Sequence, residues 1–141
     1  QIIQFIVMTV IGMAFNPMNL LAFRFNDLYL SLTLFYGGLA MASNMLWSHE
    51  IIHYLSHGTF NTNVFLFGIL STTLITILLL RNQFLVDDKQ YLRRMISHHS
   101  TALTTSHLVH KKTKDKKIKK LSKDIIDTQE REITFMKNHL M

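Results

Sequence analysis

Eight histidines, eight methionines and no cysteine bound the chemistry open to this 141-residue chain. Without thiols, disulfides, thiolate metal sites and cysteine nucleophiles are excluded. The imidazoles and thioethers fall into two groups. The first lies on either side of a basic turn at Lys114. Counted from that turn, Met95 lies nineteen residues back and Glu132 eighteen forward; His98 and His99 lie sixteen and fifteen back, and Gln129 fifteen forward. Antiparallel helices on the two sides would bring Met95, His98 or His99, Gln129, Glu132 and Met136 to one level. Gln129 and Glu132 fall on a stripe that is otherwise apolar, where an unpaired polar group is costly. Imidazole, thioether and carboxylate converging there form the donor set of a metal site. Thioether favours a soft ion such as Cu(I) while imidazole accepts several metals, so copper ranks ahead of zinc. A metal-free His–Glu hydrogen bond accounts for the same residues.

The second group is a four-residue ladder, Met41, Met45, His49, His53 and His57. Residues four apart on a helix are neighbours, roughly 5–6 Å apart at Cβ, so each adjacent pair can share an ion. The ladder drifts by about 40° per step, so all five cannot ligate one metal, and two or three stepping sites are the sharper expectation. Interfacial histidines and packing methionines are the plain alternative. Within the ladder, His49-Glu50-Ile51-Ile52-His53 is a literal H-E-x-x-H string. It would make an intramembrane metalloprotease with Glu50 as base, but such enzymes need a third ligand, and for that the sequence offers only His57 or a tail histidine. No P-loop, dinucleotide fingerprint or nucleophile elbow accompanies it, and a non-enzymatic role is the expectation.

The elements that must carry these residues differ sharply between the two ends of the chain. Residues 1–80 hold only Arg24, Asp27 and Glu50 as charged groups, whereas residues 81–141 hold fourteen of the fifteen Lys and Arg and seven of the nine acids, a local net charge of +7. Three apolar runs fill the first part: about 2–23 with a kink at Pro17, 28–47 without a charge, and 64–80 ending at Arg81. Each approaches the length needed to cross a hydrocarbon core of roughly 30 Å. Gly37, Gly38, Ala40, Ala42 and Ser43 give the second run a small-residue face suited to close helix packing. The reading is an all-α membrane protein with a transmembrane region over residues 1–81 and a helical domain over 86–141. Lys and Arg follow the third run and are missing from 48–63, which predicts an outside N-terminus and a cytoplasmic tail.

Beyond Val86 the pattern becomes amphipathic. Asp87 with Gln90 is a capping-box-like start, and Leu92, Met95, Ile96, His99, Leu103, Ser106 and His110 recur at helical spacing. Lys111 to Asp115 reads as a turn with Thr113 or Asp115 as the next N-cap. Ile118, Leu121, Ile125, Gln129, Glu132, Ile133 and Met136 mark the face of a second helix. So short a connection predicts an antiparallel αα-hairpin. The lysines from Lys111 to Lys123 suggest contact with anionic lipid; without interleaved aromatics, nucleic acid is not an expected partner.

Two strings carry a resemblance: Met95-Ile96-Ser97-His98-His99-Ser100-Thr101-Ala102 in the first helix, and Ile125-Ile126-Asp127-Thr128-Gln129-Glu130-Arg131-Glu132-Ile133-Thr134-Phe135-Met136-Lys137 in the second. Together they resemble the family catalogued as domain of unknown function three-zero-five, over roughly residues 86–139. Leu80 to Asp88 is similar to the junction that follows Met-rich spans in one branch of that family. The resemblance implies a ferritin-like half-bundle, with copper or other metals associated with some members. It points to Met95, His98, His99, Gln129, Glu132 and Met136. Ser97 stands where the pattern has proline, a change expected only to smooth the helix. Histidines at 49, 53 and 57 stand on a ladder where that branch is richer in methionine.

These readings converge on a membrane-anchored metal-binding protein for copper buffering, sensing or delivery. The alternative is a non-catalytic structural or assembly subunit of a membrane complex. A two-helix hairpin buries little core alone, so self-association or packing on a membrane partner is expected.

Overall fold

The computed structural model describes residues 2–140 of the chain, and among the described residues every regular element is helical. Helix α1 runs Ile2–Ala14. Asn16 then caps a short α2 (Pro17–Leu20), its side chain accepting from the Met18 amide at 3.0 Å, with Pro17 in the first turn where its missing N–H costs nothing. From Leu21 to Ser31 the chain is non-helical apart from one tight turn, Phe25–Asp27. Helix α3 covers Leu32–His57. Helix α4 (Thr62–Leu74), capped by Asn61, passes directly into a wider π-helical stretch, Ile75–Arg81.

Two stretches are long and apolar enough to cross a membrane, Ile2–Leu20 with 19 residues and Thr62–Arg81 with 20. Against the three expected spans, the first apolar stretch ends at Leu20 rather than at 23, and the last runs Thr62–Arg81 where 64–80 was expected. The second, expected over 28–47, is corrected. Its helix starts at Leu32 and continues well past Trp47 to His57, and Ser43, Asn44, Ser48, His49 and Glu50 dilute it below that class.

The chain divides into two compact units. One is built from α1, α3, α4 and the stretch to Val86, with α3 packed on both α1 and α4. Its closest helix approaches fall at glycines, beside buried Leu34, Tyr36 and Ala42. A Cβ at Gly38 would come within 2.8 Å of the Thr9 carbonyl oxygen, and one at Gly68 within 2.9 Å of the Trp47 amide nitrogen. Large side chains point outward instead: Ile2, Ile3, Ile6 and Val10 on α1, and Leu66, Phe67 and Leu70 on α4 are exposed. Small residues at these contacts let the helices approach closely. The exit from α4 is pinned by Tyr36, whose hydroxyl donates to the Phe84 carbonyl at 2.8 Å, between two left-handed residues, Gln83 and Leu85.

The second unit joins Asn16–Ser31 to the chain from Asp87 onward. Helices α5 (Asp88–Lys112) and α6 (Lys116–Leu140) form the expected hairpin. Asp87 caps α5 through the Gln90 amide at 2.8 Å, and Asp115, not Thr113, caps α6 through the Lys117 and Ile118 amides. Ile96, Leu103, Ile133 and Met136 form the core, joined by Leu92, Met95, Ile126, Leu140 and Tyr29. Ile118 and Leu121, expected on the buried face, are exposed beside the lysine-rich turn, because the core lies toward the opposite end of the hairpin. Residues 16–31, assigned by composition to the apolar region, belong here because hairpin serines satisfy their backbone.

Candidate functional site

The hairpin register brings His99 and Glu132 together: His99 Nε2 lies 2.7 Å from Glu132 Oε2. The ring is nearly buried, and its Nδ1 lies 2.8 Å from the Met95 carbonyl oxygen one turn earlier, to which it donates. That bond fixes the ring's orientation and leaves Nε2 as the atom that faces the carboxylate. The Glu132 side chain is half exposed, so this edge of the pair opens to solvent. One turn before Glu132, the Gln129 side-chain oxygen is buried without a hydrogen-bond partner.

The other residues singled out from sequence are placed differently. Met95 and Met136 belong to the apolar cluster around Ile96 and Leu103, where they act as packing. His98 is exposed, its ring 5.8 Å from that of His99 in an edge-on arrangement. Local desolvation, with His99 and Arg94 adding to it, holds its pKa below the ordinary histidine value. Among the described residues, no group of three or more His, Asp or Glu side chains gathers as a cation cage.

Reading by spacing missed the polar network beneath this pair. Asp27 is fully buried and meets Lys137 Nζ at 2.5 Å through Oδ1. Its Oδ2 accepts from the Ser100 hydroxyl at 2.7 Å, and Ser100 Oγ accepts in turn from the Phe23 amide at 2.9 Å. Ser97 does far more than smooth a helix. Its hydroxyl donates to the Asp27 carbonyl at 2.9 Å and accepts from the Tyr29 amide at 3.2 Å. Arg24 closes this non-helical strap, residues 21–31, with a two-pronged pair to Glu130, at 3.0 and 2.6 Å, which raises the pKa of the guanidinium. The signal was there: Asp27 is a lone acid in an apolar stretch and needed a partner.

In the other unit the ladder splits. Met41 lies against Gly12 of α1, its sulfur 3.2 Å from where a Cβ would stand, and Met45 is exposed. The three histidines stack along α3, with ring centroids 6.1 Å apart for His49 and His53 and 4.8 Å for His53 and His57. His49, Glu50 and His53 line an open cleft of about 600 Å³ with Thr59, Phe60 and Asn61. Glu50 is buried, and its Oε2 accepts from the Asn61 amide at 3.1 Å.

The family model described as Domain of unknown function (DUF305) matches residues 88–141, which is the hairpin. An uncharacterized protein of Acanthamoeba polyphaga mimivirus is 36% identical over 142 residues, covering 99% of this chain and 91% of the relative. No solved structure matches.

Proposed function

Because the chain belongs to the family described as Domain of unknown function (DUF305), we propose that it is a membrane-anchored protein whose hairpin binds a metal ion at His99 and Glu132. The observation that carries this reading is the bond from His99 Nδ1 to the Met95 carbonyl. Metal-binding histidines characteristically donate their second ring nitrogen to such an acceptor, which orients the ring and raises the basicity of the other nitrogen. His99 Nε2 and the Glu132 carboxylate would hold the ion, with the unpartnered Gln129 oxygen and the exposed His98 as further donors within the same turn of the hairpin. This set is nitrogen and oxygen rather than sulfur, because Met95 and Met136 serve the core. It suits Cu(II), first in affinity order, or Zn(II) better than Cu(I). Bound there, the ion would be stored, sensed or passed on, with no reaction assigned to the protein.

Anchoring rests on Ile2–Leu20 and Thr62–Arg81, whose outward faces are apolar and whose closest helix approaches fall at glycines. The exposed Leu108, Val109, Ile118 and Leu121 beside the lysine-rich turn offer a face to a second copy or to anionic lipid.

The test is titration of Cu(I), Cu(II) and Zn(II) into detergent-purified protein, wild type against His99→Ala and Glu132→Gln. One tight equivalent, lost in His99→Ala and weakened about 10–100-fold in Glu132→Gln, is the expected result. A second reading, a structural subunit without metal, is favoured by the 2.7 Å contact itself, since His99 and Glu132 already satisfy one another. It predicts no tight binding that depends on His99 or Glu132 and a lower melting temperature in His99→Ala.

A further inference from the structure

Glu50 is the only formally charged side chain between Asp27 and Arg81. It is 6% exposed, and among the described residues it makes no ion pair. The Asn61 amide gives its Oε2 one hydrogen bond but no countercharge. A buried carboxylate without a cation is expensive, so something positive belongs beside it. No lysine or arginine lies in this stretch to supply it, and the only candidates are the imidazoles on the same helix.

Two of those imidazoles share a cleft with it. His53 Nδ1 lies 3.1 Å from the Thr59 carbonyl oxygen and 3.2 Å from the Thr59 hydroxyl; the tautomer that donates to the carbonyl has its lone pair on Nε2. The same device orients metal-binding histidines generally, and it is built here from a loop carbonyl six residues away. His49, one turn earlier, presents its ring 6.1 Å from that of His53, and both line the open cleft that Glu50 borders. Histidines at i and i+4 with an acid between them form a donor pair on one helix face.

We propose that this cleft is a second cation site, in which His49 and His53 ligate a first-row divalent ion, such as Zn(II), whose charge offsets the buried Glu50. Two imidazoles and water complete the coordination, so the site is weaker and more exchangeable than a three-ligand cage. Glu50 acts by charge and stays on the Asn61 amide, which separates this site from a hydrolytic one. The inference uses no residue of the hairpin and stands whether or not His99 binds metal.

The experiment is Zn(II) titration against a competing chromophoric chelator, on the full chain in detergent, in a His99→Ala background. One weaker equivalent should remain in that background after the tight one is lost with His99. His49→Ala/His53→Ala should abolish it, and Glu50→Gln, which keeps the acceptor for Asn61, should weaken it about tenfold, as loss of one supporting group does. Zn(II) affinity unchanged by His49→Ala/His53→Ala overturns the proposal. Should that variant fail to fold, wild-type protein is labelled with diethyl pyrocarbonate with and without Zn(II). Protection mapped by mass spectrometry to His49 and His53 supports the site, and equal labelling overturns it.

Discussion

The two units solve the packing problem in opposite ways. In the hairpin unit, isoleucine, leucine and methionine face inward and lysines face out, as water requires. In the apolar unit, the closest helix approaches fall at glycines and most of the isoleucine, leucine and phenylalanine side chains on α1 and α4 face out. Both units bury an acid, and again they differ. The Asp27 carboxylate is matched by Lys137 and Ser100, whereas Glu50 has one backbone amide. Sequence-distant cations can reach a unit that contains the charged part of the chain. The apolar unit holds one, Arg81, which makes no ion pair with Glu50 among the described residues, and that leaves the charge beside Glu50 to histidine and whatever histidine binds.

The comparison is broken or sharpened first at Asp27. Asp27→Ala strands Lys137 and the Ser100 hydroxyl and should cost about 3 kcal/mol, near the low end for a broken buried pair because Lys137 is partly exposed. Chemical denaturation reads the loss, and Asp27→Ala/Lys137→Met should recover much of it. If the double variant is no better than the single, the ion pair is not what holds the strap. Next comes the glycine test, Gly38→Val against Gly37→Ala. A Cβ at Gly38 meets backbone at 2.8 Å and should cost about 1–3 kcal/mol, while Gly37 has nothing within 4 Å and should gain about 0.5 kcal/mol from helix propensity. Equal effects in detergent melting curves would mean that the helices do not pack through glycine. Ser97→Ala leaves the Tyr29 amide without its acceptor and should cost about 1–2 kcal/mol, with faster hydrogen exchange at Tyr29 as its signature. Arg24→Ala removes a pair whose side chains are 46% and 33% exposed, and below about 1 kcal/mol is expected.

The smallest effect is at His98. Desolvation, His99 and Arg94 lower its pKa in the folded protein, so the unfolded chain binds its proton more readily. Stability from this residue is complete above about pH 6.5 and is lost as pH falls through the lower folded value. In metal-free protein, His98→Gln should flatten the decline in melting temperature between about pH 7 and pH 5. A decline as steep in the variant assigns the slope to other groups.

Much of the hairpin was legible because its information is local. A period of 3.6, an aspartate cap at each start and a short lysine-rich turn fix the register that joins His99 to Glu132. Spacing could not say whether Met95 and Met136 on that face would offer sulfur to an ion or fill the core, since both tasks need the same positions. The strap was illegible for the opposite reason. Residues 21–31 have no period, and their partners Ser97, Ser100 and Lys137 lie far along the chain. The second apolar run misled because uninterrupted hydropathy does not mark where a helix begins. The chain from Leu28 is still in the strap, and α3 starts only at Leu32.

One consequence of the Asp27–Lys137 bond concerns how the hairpin can be handled or inherited. The family match spans residues 88–141, yet the unit to which that segment belongs also needs Asn16–Ser31. A gene fragment encoding the matched segment alone would leave Ser97, Ser100 and Lys137 facing water with the work of the strap undone. During synthesis the strap emerges long before either serine, and its acid waits for a lysine more than a hundred residues downstream. A premature stop ahead of Lys137 would therefore be felt first in a loop near the other end of the chain.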